Sequence, residues 1–154
     1  MIQLERIMVA TDFSDHAQIA MRYAAALAQR FGSEIVVCHV IRPLSMSVLM
    51  PAEESAAGDE TYPDRRASNA REAAEQLLNS FDVSKGRVLI ESGTPFVKLV
   101  QVAKNEDIDL LVVGTHGVGA IAHFLLGSTA ENVVRTAPCP VLVVRDGEHD
   151  FVSP

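Results

Sequence analysis

The sequence predicts an α/β fold: one doubly wound, five-stranded parallel sheet in the order 3-2-1-4-5, with helices on both faces. Three observations predict it. Five short runs rich in Val, Ile and Leu alternate with four stretches of helical period, and strict β-α alternation builds a parallel sheet through right-handed crossovers. Residues 35–41, IVVCHVI, are almost continuously apolar, as a strand covered on both faces must be. At 154 residues the chain fits one domain of ordinary size and not two.

Each element follows from local pattern. Residues 4–10, LERIMVA, form the first strand, and Thr11, Asp12, Phe13 and Ser14 lead into a helix capped by Ser14 or Asp15. Ala17, Ala20, Ala24, Leu27, Ala28 and Phe31 recur at helical spacing as its buried face, and Gly32 stands where a C-cap glycine belongs. Arg42 and Pro43 end the second strand. Residues 43–62 have no steady period, and a loop of that length is either functional or a variable surface insert. Its Met46, Val48, Leu49 and Met50 are apolar enough to cover a ligand or a neighbouring subunit.

After Pro63, Ala67, Ala70, Ala73, Ala74, Leu77, Leu78 and Phe81 mark the second helix, with Arg65, Arg66, Arg71, Glu72 and Glu75 on its other side. Residues 87–91, RVLIE, form the third strand. Thr94 then caps a third helix with Pro95 at its first position and Phe96, Leu99, Val100 and Ala103 on its apolar face. The fourth strand is LLVVG at 110–114, and the fifth is PVLVVR at 140–145. One domain over 1–146 and a tail over 147–154 complete the chain.

Bulk properties exclude several classes of function. The chain is 48% hydrophobic and 21% charged, with a net charge of −7 and a pI near 5.1. It has no basic stripe, so nucleic acid is not an expected partner. No apolar run reaches the length of a membrane span, and MIQLERIMVATDFSD, broken by Glu5, Arg6 and Asp12, does not read as a signal peptide. The expectation is a cytoplasmic chain with no membrane partner. Cys38 and Cys139 lack metal or disulfide spacing and read as buried free thiols.

The chemistry is concentrated in residues 110–135, LLVVGTHGVGAIAHFLLGSTAENVVR. Gly114, Gly117, Gly119 and Gly127 permit tight turns and close approach to a ligand. Ser128 and Thr129 follow where a helix begins, and a helix N-terminus suits a phosphate. Ser128 and Glu131 also have the spacing of a capping box. In this fold ligands sit beyond the carboxyl ends of the strands where the order reverses, so Thr11 and Asp12 face Gly114, Thr115, His116 and Gly117 there.

Gly114, Gly117 and Gly127-Ser128, with Asp12 in VATDFS and the closing PCPVLVV, resemble the universal stress protein family over nearly the whole chain. The resemblance implies a homodimer joined through the last strand and, in the ATP-binding branch, an adenine nucleotide. It places Asp12 near the adenosine, Val40 against the adenine, and Gly114 and Gly117 beside the ribose and phosphates. Gly127, Ser128 and Thr129 fall on the phosphates. Ala10, Thr11, Thr115, His116 and Gly119 adjoin these positions and complete the expected ATP site.

The residues themselves set limits on turnover. Between Gly114 and Asn132 there is no Lys or Arg, unlike a P-loop, so a triphosphate would rely on backbone amides, hydroxyls and a divalent cation such as Mg2+. Arg42 is the nearest cation, and the alternative is that it is solvated. Asp12 either hydrogen-bonds the nucleotide or satisfies amides in its own turn. His116 lacks the partners of a catalytic or metal-binding group, His39 reads as a satisfied core histidine, and His16, His123 and His149 form no metal spacing. The expected function is a nucleotide-responsive stress regulator that binds more than it hydrolyses. The alternatives are a slow Mg-dependent ATPase and a dimerising interaction module indifferent to nucleotide. An apolar edge at Val141, Leu142, Val143 and Val144 predicts the dimer seam.

Overall fold

The first strand, β1 (Arg6–Ala10), lies at the centre of a sheet ordered β3-β2-β1-β4-β5, with every described pairing parallel. The computed structural model describes residues 2–43, 62–115 and 126–145. The loop over 43–62 therefore lies almost wholly outside the described residues, as do His116, Gly117, Gly119 and the tail over 147–154.

The remaining strands are β2 (Glu34–Ile41), β3 (Gly86–Ser92), β4 (Leu110–Gly114) and β5 (Val141–Val144). The helices are α1 (Asp15–Phe31), α2 (Tyr62–Asn79), α3 (Pro95–Asn105) and α4 (Ser128–Thr136). The strand order is the predicted one, and its reversal lies between β1 and β4. Among the described residues no helix is long and apolar enough to cross a membrane.

Side-chain alternation along the strands divides the core in two. Ile7, Val9, Ile35, Val37 and Val112 pack with α1 and Ala74 of α2, while Met8, Val36, Cys38, Leu111 and Val113 pack with α3 and α4. This is the period of two that a two-faced strand requires. α1 buries Ala17, Ala20, Met21, Ala24, Ala25 and Ala28, and that alanine-rich face lets the helix lie close to the sheet.

Ser14 is its N-cap, with Oγ accepting from the Ala17 amide, and Gly32 closes it at φ 70° by donating to the Ala28 carbonyl. Phe31, expected on the buried face, is 54% exposed. As the last residue before the left-handed turn at Gly32, it lies past the packed part of the helix.

The apolar run of β2 is covered on both faces only through Cys38. His39, Val40 and Ile41 are half-buried, because β1 ends at Ala10, opposite Cys38, while β2 continues. Cys139 departs from expectation in the same way: it is half-buried, between Pro138 and Pro140 ahead of the edge strand β5.

Cys38 is fully buried. Burial, reinforced by the negative charge of Glu91, pushes its thiol up from 9.0 to about 12. The unfolded thiol ionises first, so between those two values the unfolded chain binds fewer protons than the folded one and stability falls as pH rises. Stability is expected to decline above about pH 9 by up to roughly 1.4 kcal/mol per pH unit from this group. Denaturant unfolding of Cys38→Ala should show a shallower decline, and an identical slope in both proteins would count against the assignment.

Candidate functional site

At the carboxyl ends of the strands the chain leaves β1 through Thr11. Its amide donates to the Cys38 carbonyl (2.9 Å), which is the final link between β1 and β2. Its Oγ1 accepts from the Phe13 amide (3.0 Å), and Phe13 sits at φ 65°. Asp12 Oδ1 accepts from both the amide and the hydroxyl of Ser14. The carboxylate therefore serves its own turn and braces the start of α1, as one of its two readings required.

The short first strand leaves a specific opening. Cys38 directs its carbonyl to the β1 side, and Ile41 directs its carbonyl to the β3 side, where it accepts from Gly93. Successive residues of a strand alternate direction, so the N–H and C=O of Val40 both face the β1 side, one step past the last β1 pairing. Val40 thus presents a donor and an acceptor where, among the described residues, no strand follows. Next to it, His39 Nδ1–H donates to the Thr11 carbonyl (2.8 Å), and its ring lies 4.5 Å from that of Phe13. His39 is satisfied, as expected, although half-buried.

β4 supplies the opposite wall. Gly114 was expected to let backbone approach a ligand, but a Cβ there would lie 3.0 Å from both Cβ and the carbonyl oxygen of His16. What requires glycine is the backbone of α1. Thr115 is buried; its amide donates to Val144 (3.0 Å), and its carbonyl accepts from Gly127 (2.7 Å). The two described ends of the glycine-rich segment are therefore joined.

Gly127, not Ser128, is the N-cap of α4, and no side chain caps that end. Ser128 is the first helical residue, one position too far along for the expected capping box. Glu131 bonds Arg135 one turn away (2.8 Å), so its carboxylate is engaged toward the far end of the helix. Among the described residues no side chain accepts from the amino-terminal amides of α4, the condition in which a helix end receives an anion.

A cavity of about 590 Å³ opens among these parts, within the range of roughly 300–1,000 Å³ usual for small-molecule sites. Every predicted site residue in the described ranges lines it: Ala10, Thr11 and Asp12 from β1, Val40 from β2, Gly114 and Thr115 from β4, and Gly127, Ser128 and Thr129 at α4. Arg42 joins them, and a smaller cleft of about 360 Å³ adjoins through Arg42, Pro95, Ser128 and Thr129.

Sequence reasoning missed Leu99, which belongs to the apolar face of α3, and Arg66, which it placed on the outer side of the second helix. No local pattern sets Arg66 apart from Arg65 and Arg71 on the polar side of that helix.

The packing of Gly114 yields a direct test. Gly114→Ala is expected to lower stability by about 1–3 kcal/mol, because the new methyl group meets backbone that cannot yield cheaply. Denaturant unfolding without any ligand measures this. Unchanged stability would show that α1 does not require glycine there.

Comparison with known proteins agrees with this architecture. The model of the universal stress protein family matches residues 3–145. A curated universal stress protein of Thermus aquaticus, named for the 3' region of a QAH/OAS sulfhydrylase, is 36% identical over 139 residues, covering 90% of this chain and 97% of its own. Among solved structures, the universal stress protein UspA from Lactobacillus plantarum superposes with a TM-score of 0.74 at 29% identity, covering 93% of this chain and 99% of its own. A universal stress protein solved in complex with cAMP superposes with a TM-score of 0.63 at 26% identity, covering 91% and 95%. With matched sequence over almost its full length and the same five-stranded sheet, this chain belongs to the universal stress protein family.

Proposed function

We propose that this chain is a stress-response regulator that binds an adenine nucleotide, ATP with or without Mg2+, and acts as a homodimer. The observation that carries the reading is the pairing of two complementary ends in one cavity. At one end Val40 offers a backbone donor and acceptor beyond the last β1 pairing; at the other, α4 offers amides without a side-chain cap.

Adenine presents an acceptor at N1 beside a donor at its amino group, which complements a strand edge. The half-buried Val40 and buried Leu99 supply apolar surface for the ring. A phosphate chain then runs toward Gly127, Ser128 and Thr129. The relative solved with cAMP supports an adenine nucleotide as the ligand class. The remaining proposed positions are Ala10, Thr11, Asp12, Gly114 and Thr115 at the cavity wall, with His116, Gly117 and Gly119 in the segment outside the described residues.

Titration calorimetry with ATP, with and without Mg2+, tests the reading, and inosine triphosphate sharpens it. Hypoxanthine reverses donor and acceptor on the edge that meets Val40, so two hydrogen bonds become mismatches of about 1–3 kcal/mol each. Binding of ATP on the order of 100-fold tighter than inosine triphosphate is expected. Absence of ATP binding at millimolar concentration would overturn the proposal, and equal affinities would remove Val40 from base recognition.

The dimer rests on β5. Among the described residues this strand pairs with β4 alone, and Val141, Leu142 and Val143 are half-buried along it. The Pro140 and Val144 carbonyls face β4, so by alternation the N–H and C=O of Val141 and Val143 face outward. Val143→Pro removes an outward donor and leaves the β4 ladder intact. Sedimentation is expected to show a dimer for the parent protein and a shift to monomer for the variant; a monomeric parent at micromolar concentration would refute the dimer.

A further inference from the structure

We propose that Arg66 and Arg42 form a cationic wall that makes this site select a nucleoside polyphosphate over the corresponding monophosphate and nucleoside. The inference rests on the adenine-nucleotide reading and deepens it.

Arg66 is half-buried and lines the larger cavity. Of the five N–H donors of its guanidinium, the structure records one in use, Nη2 donating to the Arg42 carbonyl at 3.2 Å. Among the described residues no carboxylate pairs with it, whereas Arg6, Arg87 and Arg135 all have acidic partners. A partly buried cation normally has such a partner. Arg66 is the fifth residue of α2, and it reaches the cavity from the start of the second helical turn. A half-buried cation with donors to spare, lining a cavity, points to an anion brought by the ligand.

Arg42 extends the wall. It lies two residues beyond Val40 on the continuation of β2, about 7 Å along the chain. It lines both the main cavity and the adjoining cleft, and it shares the cleft with Ser128 and Thr129. The Arg66 bond to its carbonyl fixes the α2 side chain against the point where β2 leaves the sheet.

The ligand's charge makes these groups necessary. The protein carries −7 overall, and the segment between Gly114 and Asn132 contributes no Lys or Arg. Asp12 lines the cavity too. Backbone amides and hydroxyls accommodate one phosphate at the start of α4. Each further phosphate adds negative charge that these neutral donors do not cancel, and two guanidinium groups do. Their contribution therefore grows with phosphate number and vanishes for adenosine.

Calorimetry with ATP, AMP and adenosine on the full chain, at low and high salt, tests this with Arg66→Ala, Arg42→Ala and Arg66→Lys. Each alanine variant is expected to weaken ATP about tenfold, the typical loss of a charge-assisted contact. AMP should weaken less and adenosine less than twofold, and the salt dependence of ATP binding should become shallower. Arg66→Lys should recover part of the ATP affinity, and it carries the test if Arg66→Ala fails to fold, as ligand-free melting would reveal.

Equal weakening of all three ligands would assign the arginines a purely positional role and overturn the proposal. So would unchanged ATP binding, or a parent protein that binds ATP and adenosine equally. A parent that binds none of the three defeats the adenine-nucleotide reading itself, which separates the two failures.

Discussion

The feature on which the rest depends is a difference in strand length: β2 runs to Ile41, and β1 stops at Ala10 opposite Cys38. A central strand that ended level with its neighbour would leave all ladder groups paired. Here the chain turns away through Thr11 into α1, and the sheet is left with a notch beside the end of β2. Unpaired backbone groups in a sheltered place are costly unless something completes them. The notch, the half-burial of His39, Val40 and Ile41, and the cavity over them are consequences of the one early turn.

The opposite end of the sheet is treated differently. At the amino ends of the strands, Asp109 Oδ2 accepts from the amides of Glu5 and Arg6. Arg87 bridges Glu34 at 3.0 Å and Glu106 at 2.7 Å, tying β2 and β3 to the end of α3. Half-buried ion pairs still open to solvent contribute little singly, about 0–1 kcal/mol. Their arrangement nonetheless satisfies the polar groups at that end internally. The molecule thus closes one end of its sheet with its own charges and leaves the other with donors that face a cavity. That asymmetry is why the proposed ligand is placed at the cavity end of the sheet.

The fold was legible because it depends on patterns with a fixed period. Alanines spaced along α1 and alternating apolar residues in β1, β2 and β4 specify which faces are buried, and strict alternation of element types leaves few topologies. That the motif residues share one cavity was legible because they sit where strands and helices end: Thr11, Asp12, Val40, Gly114 and Gly127 all line it. Roles were harder to read than places. Gly114 reads as a ligand-contact glycine, yet its constraint is the His16 backbone, a contact across about a hundred residues of sequence that no local pattern encodes. The cap of α4 shifted by one residue because helix ends depend on backbone geometry more than on residue type. Arg66 escaped notice because the polar side of an amphipathic helix looks the same whether it faces solvent or a cavity.

The contact between Thr115 and Gly127 has a consequence for how this family can diversify. One hydrogen bond of 2.7 Å draws together the two feet of the segment between them, while Thr115 is anchored to Val144. The geometry at the feet is then set by the sheet and not by the sequence that spans them. A connection whose ends are already held costs only about 0.6 kcal/mol more to close for each doubling of its length. Changes of length between those feet are thus cheap for the scaffold and leave the core untouched.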